Sequence, residues 1–258
     1  MPTITSSVLT GTVALVTGSS SGIGAATARR LAAEGAAVVL VARRHDRLDE
    51  VASAIRQDGG TALVVEADVT RQPEAIGAVD RAVKELGRLD TVVNNAGVML
   101  LGPALDAPTD EWDRMVDINV NGALYVTHAA LPHLMKAAAD SPRRVADLVN
   151  ITSTAGRVAR PGGSVYALTK FGISGFSEAL RQEMLGHRVR VSVVEPGTVQ
   201  TELVSHVREG IRQAARQQAE SIVAMQPEDI ADAVAYIVTR DRRVAVNELL
   251  VRASEQTW

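Results

Sequence analysis

Val13-Ala14-Leu15-Val16-Thr17-Gly18-Ser19-Ser20-Ser21-Gly22-Ile23-Gly24 is an apolar run that breaks into a glycine-rich turn. A short run of this kind suits a strand buried on both faces of a parallel sheet. Ala25 to Glu34 is rich in helix formers, so the glycines fall at a strand-to-helix junction. Glycine there permits the turn, lets backbone N–H groups approach a pyrophosphate, and allows close packing of helix on sheet. The helix N-terminus adds its positive dipole end. The spacing G-x-x-x-G-x-G differs from the G-x-G-x-x-G dinucleotide fingerprint, and no Gly-Lys-Ser/Thr follows, so this is not a nucleotide-hydrolysing P-loop.

The alternation continues outward from this turn. Strand Ala37–Val41, helix Asp46–Gln57, strand Ala62–Val65, helix Glu74–Leu86 and strand Thr91–Val93 follow in order. Strand Asp147–Ile151, a helix over 164–185 and a helix starting near Pro227 come later. Repeated βα units without a linker or composition break predict an α/β fold: one doubly wound parallel sheet of about seven strands, with helices on both faces. A single domain over residues 1–258 is the expectation.

The second strand ends in Ala42-Arg43-Arg44. A carboxylate here would accept hydrogen bonds from the adenosine ribose of NAD. Position 42 is Ala, and Arg43 offers a guanidinium fork suited to a 2′-phosphate, which favours NADP(H). Asp68-Val69, at the end of the third strand, is placed to meet an adenine ring.

The 46% hydrophobic content supports a sizeable core, which the 3% aromatic content leaves to Ala, Val and Leu. Without cysteine the chain forms no disulfide, thiolate zinc site or cysteine nucleophile. A net charge of −3 with scattered arginines argues against nucleic acid as a partner; the pairs Arg143-Arg144 and Arg242-Arg243 read as solvated surface. No signal peptide or membrane-length apolar run is apparent, and the cytoplasm is the expected location. The five histidines show no metal-ligand spacing, so no metal is expected.

Ser153 and Tyr166-Ala167-Leu168-Thr169-Lys170 carry the chemistry. Four residues apart on a helix, Tyr166 and Lys170 share a face. A neighbouring ammonium favours the phenolate and lowers the phenol's pKa towards the range where acid–base catalysis is efficient. Ser153 follows the strand Asp147–Ile151, where its hydroxyl can meet a substrate oxygen.

Thr17-Gly18-x-x-x-Gly22-Ile23-Gly24, Asn94-Asn95-Ala96-Gly97, Ser153, Tyr166-x-x-x-Lys170 and Pro196-Gly197 stand in the order and at the spacing of the short-chain dehydrogenase/reductase superfamily. The resemblance runs from about Leu9 to about Arg252. Within it, Met99-Leu100-Leu101-Gly102-Pro103, Tyr166 to Gly172 and Glu195-Pro196-Gly197-Thr198 look like clavulanic acid dehydrogenase and related aldehyde and ketone reductases. The resemblance implies that Tyr166 is the general acid–base, that Lys170 binds the nicotinamide ribose, and that Ser153 orients the carbonyl. Asn119 is the implied fourth member, its backbone holding a relay water, with Asn121 the alternative.

The implied NADP(H) contacts are Gly18, Ser20, Ser21, Gly22, Ile23 and Gly24 at the turn, then Arg43, Arg44, Asp68 and Val69, with Asn95, Ala96 and Gly97 beyond. Tyr166, Lys170, Pro196, Gly197, Thr198 and Thr201 complete them. Where some NADP-dependent relatives have a basic residue, position 21 is Ser, leaving Arg43 as the main phosphate partner. Ala137 to Arg144 looks longer than the connection expected before the next strand and reads as a surface turn. A lid over residues 199–226 is expected to cover a partly apolar pocket. Candidate lining residues are Met99, Leu100, Val158, Leu203, Val207, Ile211, Ile222 and Met225, with His206 a candidate substrate contact. The implied substrate is a small carbonyl or alcohol, and the implied assembly a homodimer or homotetramer. Alternatives are an NAD(H)-dependent member with Arg43 idle, or a cofactor-binding sensor or scaffold without turnover.

Overall fold

The computed structural model describes residues 7–203, 207, 208, 210 and 222–257. Its sheet is built from β1 (Val13–Thr17), β2 (Ala37–Ala42), β3 (Thr61–Glu66), β4 (Thr91–Asn94), β5 (Ala146–Ile151), β6 (Val189–Pro196) and β7 (Glu248–Val251). These seven strands are all parallel, in the order β3-β2-β1-β4-β5-β6-β7. The chain runs outward from β1 to β3, then returns to place β4 on the other side of β1. That reversal opens a crevice beyond the carboxyl ends of β1 and β4, where α/β sheets bind ligands.

The helices are α1 (Gly22–Ala33), α2 (His45–Gln57), α3 (Gln72–Leu86), α4 (Thr109–Val116), α5 (Gly122–Asp140), α6 (Ser164–Met184) and α7 (Pro227–Val238). Successive strand residues point to opposite faces. Ala14 and Val16 of β1 therefore join Leu31 of α1, Leu48 of α2 and Ile230 of α7 in one apolar layer. Val13 and Leu15 join Val79 of α3, Leu134 of α5 and Leu180 of α6 in the other. Leu15 is fully buried, which contributes on the order of 2 kcal/mol relative to exposure. The Gln226 and Asp229 side chains reciprocally cap α7, and Pro227 stands in its first turn, where no N–H partner is needed.

Two expectations are corrected. Ala137 to Asp140 is not a turn but the last turn of α5. Nor is Arg143 solvated: its Nη1 lies 3.2 Å from Asp147 Oδ2, while Arg190 Nε lies 2.7 Å from Asp147 Oδ1. A carboxylate buried at the start of β5 needs paired charges, and these two guanidiniums supply them. Arg144, Arg242 and Arg243 are exposed as expected. Ile211 and His206 lie outside the described residues.

Candidate active site

A cleft of about 320 Å³ lies over the carboxyl ends of the central strands. The glycine turn forms one wall, because Gly18 has φ +66 and a Cβ there would stand 2.8 Å from Ala96 Cα. Gly24 does not line the cleft: it lies inside α1, where a side chain would collide with the Gly18 carbonyl and Asn95. Thr17 Oγ1 accepts from the backbone N–H groups of Asn95 and Ala96, both at 3.0 Å. The Asn95 Nδ2 donates back to the Thr17 carbonyl at 3.0 Å, knitting the turn after β4 to the turn after β1.

Gly18, Ser20, Ser21, Gly22 and Ile23 line the cleft. So do Arg43, Arg44, Asp68, Val69, Asn95, Ala96, Gly97, Pro196, Gly197 and Thr201. Thr198 lines an adjoining chamber instead. The two arginines differ in their engagements. Arg44 donates to Ser20 Oγ at 3.0 Å, to Ser21 Oγ at 2.7 Å, and to Glu202 Oε2 at 3.0 Å. That guanidinium holds the Glu202 carboxyl below the usual range. Arg43 makes no hydrogen bond or ion pair with the described residues and lies along the cleft.

Ser153, Tyr166 and Lys170 meet on the opposite wall. The Ser153 Oγ accepts from the Ala155 N–H at 3.1 Å, which fixes the hydroxyl at the exit of β5. Lys170 Nζ sits 5.7 Å from the Tyr166 ring centroid and donates to the Ile151 carbonyl at 3.0 Å. The protonation energetics depart from the sequence expectation. Burial pushes the Tyr166 phenol up, and its interaction with the Ser153 hydroxyl pulls it back only in part. Burial lowers Lys170 to about 8, because the charged amine is held away from water. Desolvation is the leading cause at both groups.

Asn119 is buried on a π-helical segment, Asp117–Asn121, between α4 and α5. Such a bulge breaks the regular carbonyl ladder and recurs at functional sites. The Asn119 Oδ1 accepts from Val98 N at 2.8 Å, and its Nδ2 donates to the Val98 carbonyl at 2.9 Å and to Thr169 Oγ1 at 3.1 Å. It thus brackets the loop after β4 against the helix turn between Tyr166 and Lys170. Asn121 is engaged elsewhere, donating to Asp117 Oδ1 at 2.9 Å.

A profile of the short chain dehydrogenase family matches residues 12–212. This chain is a short-chain dehydrogenase/reductase. Among curated relatives of this short-chain dehydrogenase/reductase, an uncharacterized oxidoreductase of Staphylococcus saprophyticus is 34% identical over 249 residues, covering 95% of this chain and 97% of the relative. A closed serine dehydrogenase complexed with NADP+ shares 32% identity at a TM-score of 0.87, covering 95% of this chain and 96% of that one. A 3-ketoacyl-(acyl-carrier-protein) reductase from Brucella melitensis complexed with NADH shares 29% identity at a TM-score of 0.84, covering 95% and 98%. Of these two similar structures, one thus holds NADP+ and the other NADH.

Some residues lining this candidate site carry no local sequence signal. Glu202 lines the cleft, and Gln256 lines the adjoining chamber. Leu203 and Val158 face that chamber with Met99 as expected. Leu100 and Met225 are instead buried core residues, Val207 is fully buried, and Ile222 packs against the core. Among the described residues no helix is long and apolar enough to cross a membrane, and no group of three or more His, Asp or Glu is arranged to hold a metal ion.

The depressed Lys170 pKa makes a stability prediction. Between about 8 and 10.5 the unfolded chain binds the Lys170 proton and the folded chain does not, so stability rises with pH across that window. In chemical denaturation the wild type should gain about 3 kcal/mol relative to Lys170→Met between those limits. A pH-independent difference would show that the amine is not desolvated.

Proposed function

We propose that this chain is an NADP(H)-dependent oxidoreductase that interconverts a ketone or aldehyde with its alcohol, working in the cytoplasm on small molecules. One observation carries the reading: Ser153, Tyr166 and Lys170 line the same cleft as the glycine turn and Arg43. The residues present fit a dinucleotide. The turn at Gly18 and Gly22 leaves room where a side chain would intrude, the N-terminus of α1 favours a pyrophosphate, and Arg43 suits a 2′-phosphate. Gly97, Pro196, Gly197, Thr198 and Thr201 would flank the nicotinamide, and Asp68 and Val69 the adenine. When bound, the cofactor supplies or accepts the hydride.

The protein's part is acid–base and electrostatic. In reduction Tyr166 gives its phenolic proton to the carbonyl oxygen as negative charge develops there. Ser153 donates a hydrogen bond to the same oxygen, a preorganised contact of the kind worth 10²–10³ in rate. Lys170 would bind the nicotinamide ribose, and its charge favours the phenolate left on Tyr166. The Asn119 bracket keeps this helix in register with the loop beside the nicotinamide, its own backbone being the proposed anchor for a relay water. The preference for NADP(H) over NAD(H) rests on Arg43. Leu168 and Phe171 stand exposed on α6, an apolar face for a homodimer or homotetramer.

The test is NADPH oxidation by wild-type protein with a panel of aldehydes and ketones, and NADP+ reduction with the matching alcohols. Turnover in at least one direction is expected, faster with the phosphorylated dinucleotide. Tight NADPH binding with no turnover across the panel would favour a sensor or scaffold and defeat the enzyme reading.

A further inference from the structure

The chamber beside the cleft has its own chemistry. It encloses about 320 Å³ and shares Ser153 and Tyr166 with the cleft, so a substrate presenting its carbonyl to them extends into it. Met99, Leu101 and Val158 supply apolar lining, and Arg160 is the one charged side chain among its described lining residues.

Gln256 reaches this chamber from the far end of the chain. Its Oε1 accepts the Thr198 N–H at 2.7 Å, in the segment proposed to face the nicotinamide. A Cβ at position 197 would come 2.9 Å from Gln256 Cδ, so Gly197 leaves the space that this side chain occupies. The neighbouring Glu255 accepts the Val223 N–H at 2.9 Å, and Gln256 N donates to the Ala253 carbonyl at 2.9 Å. The tail is therefore fastened at Glu255 and Gln256, and just beyond them the Thr257 carbonyl accepts from the Arg252 guanidinium. With the amide oxygen committed to Thr198, the orientation of the amide is set, and its NH₂ has no partner among the described residues.

We infer that Gln256 is a specificity-determining residue that offers this NH₂ to a second acceptor oxygen on the substrate, so that oxo acids and oxo esters are selected over plain ketones. The inference rests on the proposed carbonyl chemistry but is tested by binding as well as by turnover. A donor aimed at an acceptor discriminates against a ligand that lacks one, because the polar group is then left unpaired.

The probes are methyl acetoacetate and the straight-chain methyl ketone of equal length, titrated into the protein–NADPH complex with the fluorescence of the bound dinucleotide as readout. Wild type should bind the oxo ester about tenfold more tightly. Gln256→Glu keeps an oxygen for the Thr198 N–H but removes the donor, and should abolish that preference while NADPH still binds. Gln256→Leu should abolish it and weaken NADPH as well, since Thr198 also loses its partner. Equal affinities in wild type, or a preference that survives in Gln256→Glu, would overturn the assignment. If the preference appears and is lost in Gln256→Glu while no carbonyl is reduced, the oxidoreductase reading fails and the role of Gln256 stands.

Discussion

Tyr166→Phe is expected to lower kcat for carbonyl reduction by about 10³-fold while NADPH affinity stays within about threefold of wild type. The ring volume is retained, so the packing of Tyr166 with Val98, Leu100 and Met115 survives. Only the hydroxyl is lost, and with it the proton that the developing alkoxide needs. Burial makes this loss severe. The cleft holds the phenol above its ordinary pKa, so at neutral pH it is a protonated donor, matched to reduction. Oxidation needs the phenolate, so alcohol oxidation should gain rate with rising pH while carbonyl reduction does not. Single-turnover hydride transfer, measured as NADPH absorbance loss, separates the chemical step from release. A variant that retains full activity would remove Tyr166 from the mechanism.

Arg43→Asp should reverse the dinucleotide preference, changing the ratio of kcat/KM for NADPH over NADH by about 10³-fold. Two effects combine. The 2′-phosphate loses a charge-assisted contact worth about 1.5–3 kcal/mol, and a carboxylate introduced at the end of β2 repels the phosphate while accepting from a free ribose hydroxyl. Arg44 cannot substitute fully, since its guanidinium is already shared among Ser20, Ser21 and Glu202. Steady-state kinetics with both dinucleotides provide the measurement. An unchanged ratio would leave Arg43 as a solvated charge and return the NAD(H) alternative to first place.

Much of this site was legible before any coordinates. Tyr166 and Lys170 share a helix, and the helical repeat alone brings them to one face. The glycine turn is equally local, with strand, turn and helix all lying within Val13–Ala33. What escaped reading depended on surroundings. The charge on Lys170 raises the prospect of an acidified phenol, but burial of both groups reverses the direction for Tyr166. Arg143 resembles any surface arginine until Asp147 is seen beneath it.

The sequence by itself determined the alternating architecture, the glycine cradle and the pairing of Tyr166 with Lys170, because each is written in spacings of one helix turn or one strand. Tertiary structure alone decided that Asn119 bolts Val98 to Thr169, that Asp147 is buried between two arginines, and that Gln256 closes on Thr198 across a separation of 58 residues. The reason is physical. Side-chain periodicity is a property of neighbouring residues, whereas desolvation and long-range hydrogen bonds depend on which distant segments the packed sheet brings together.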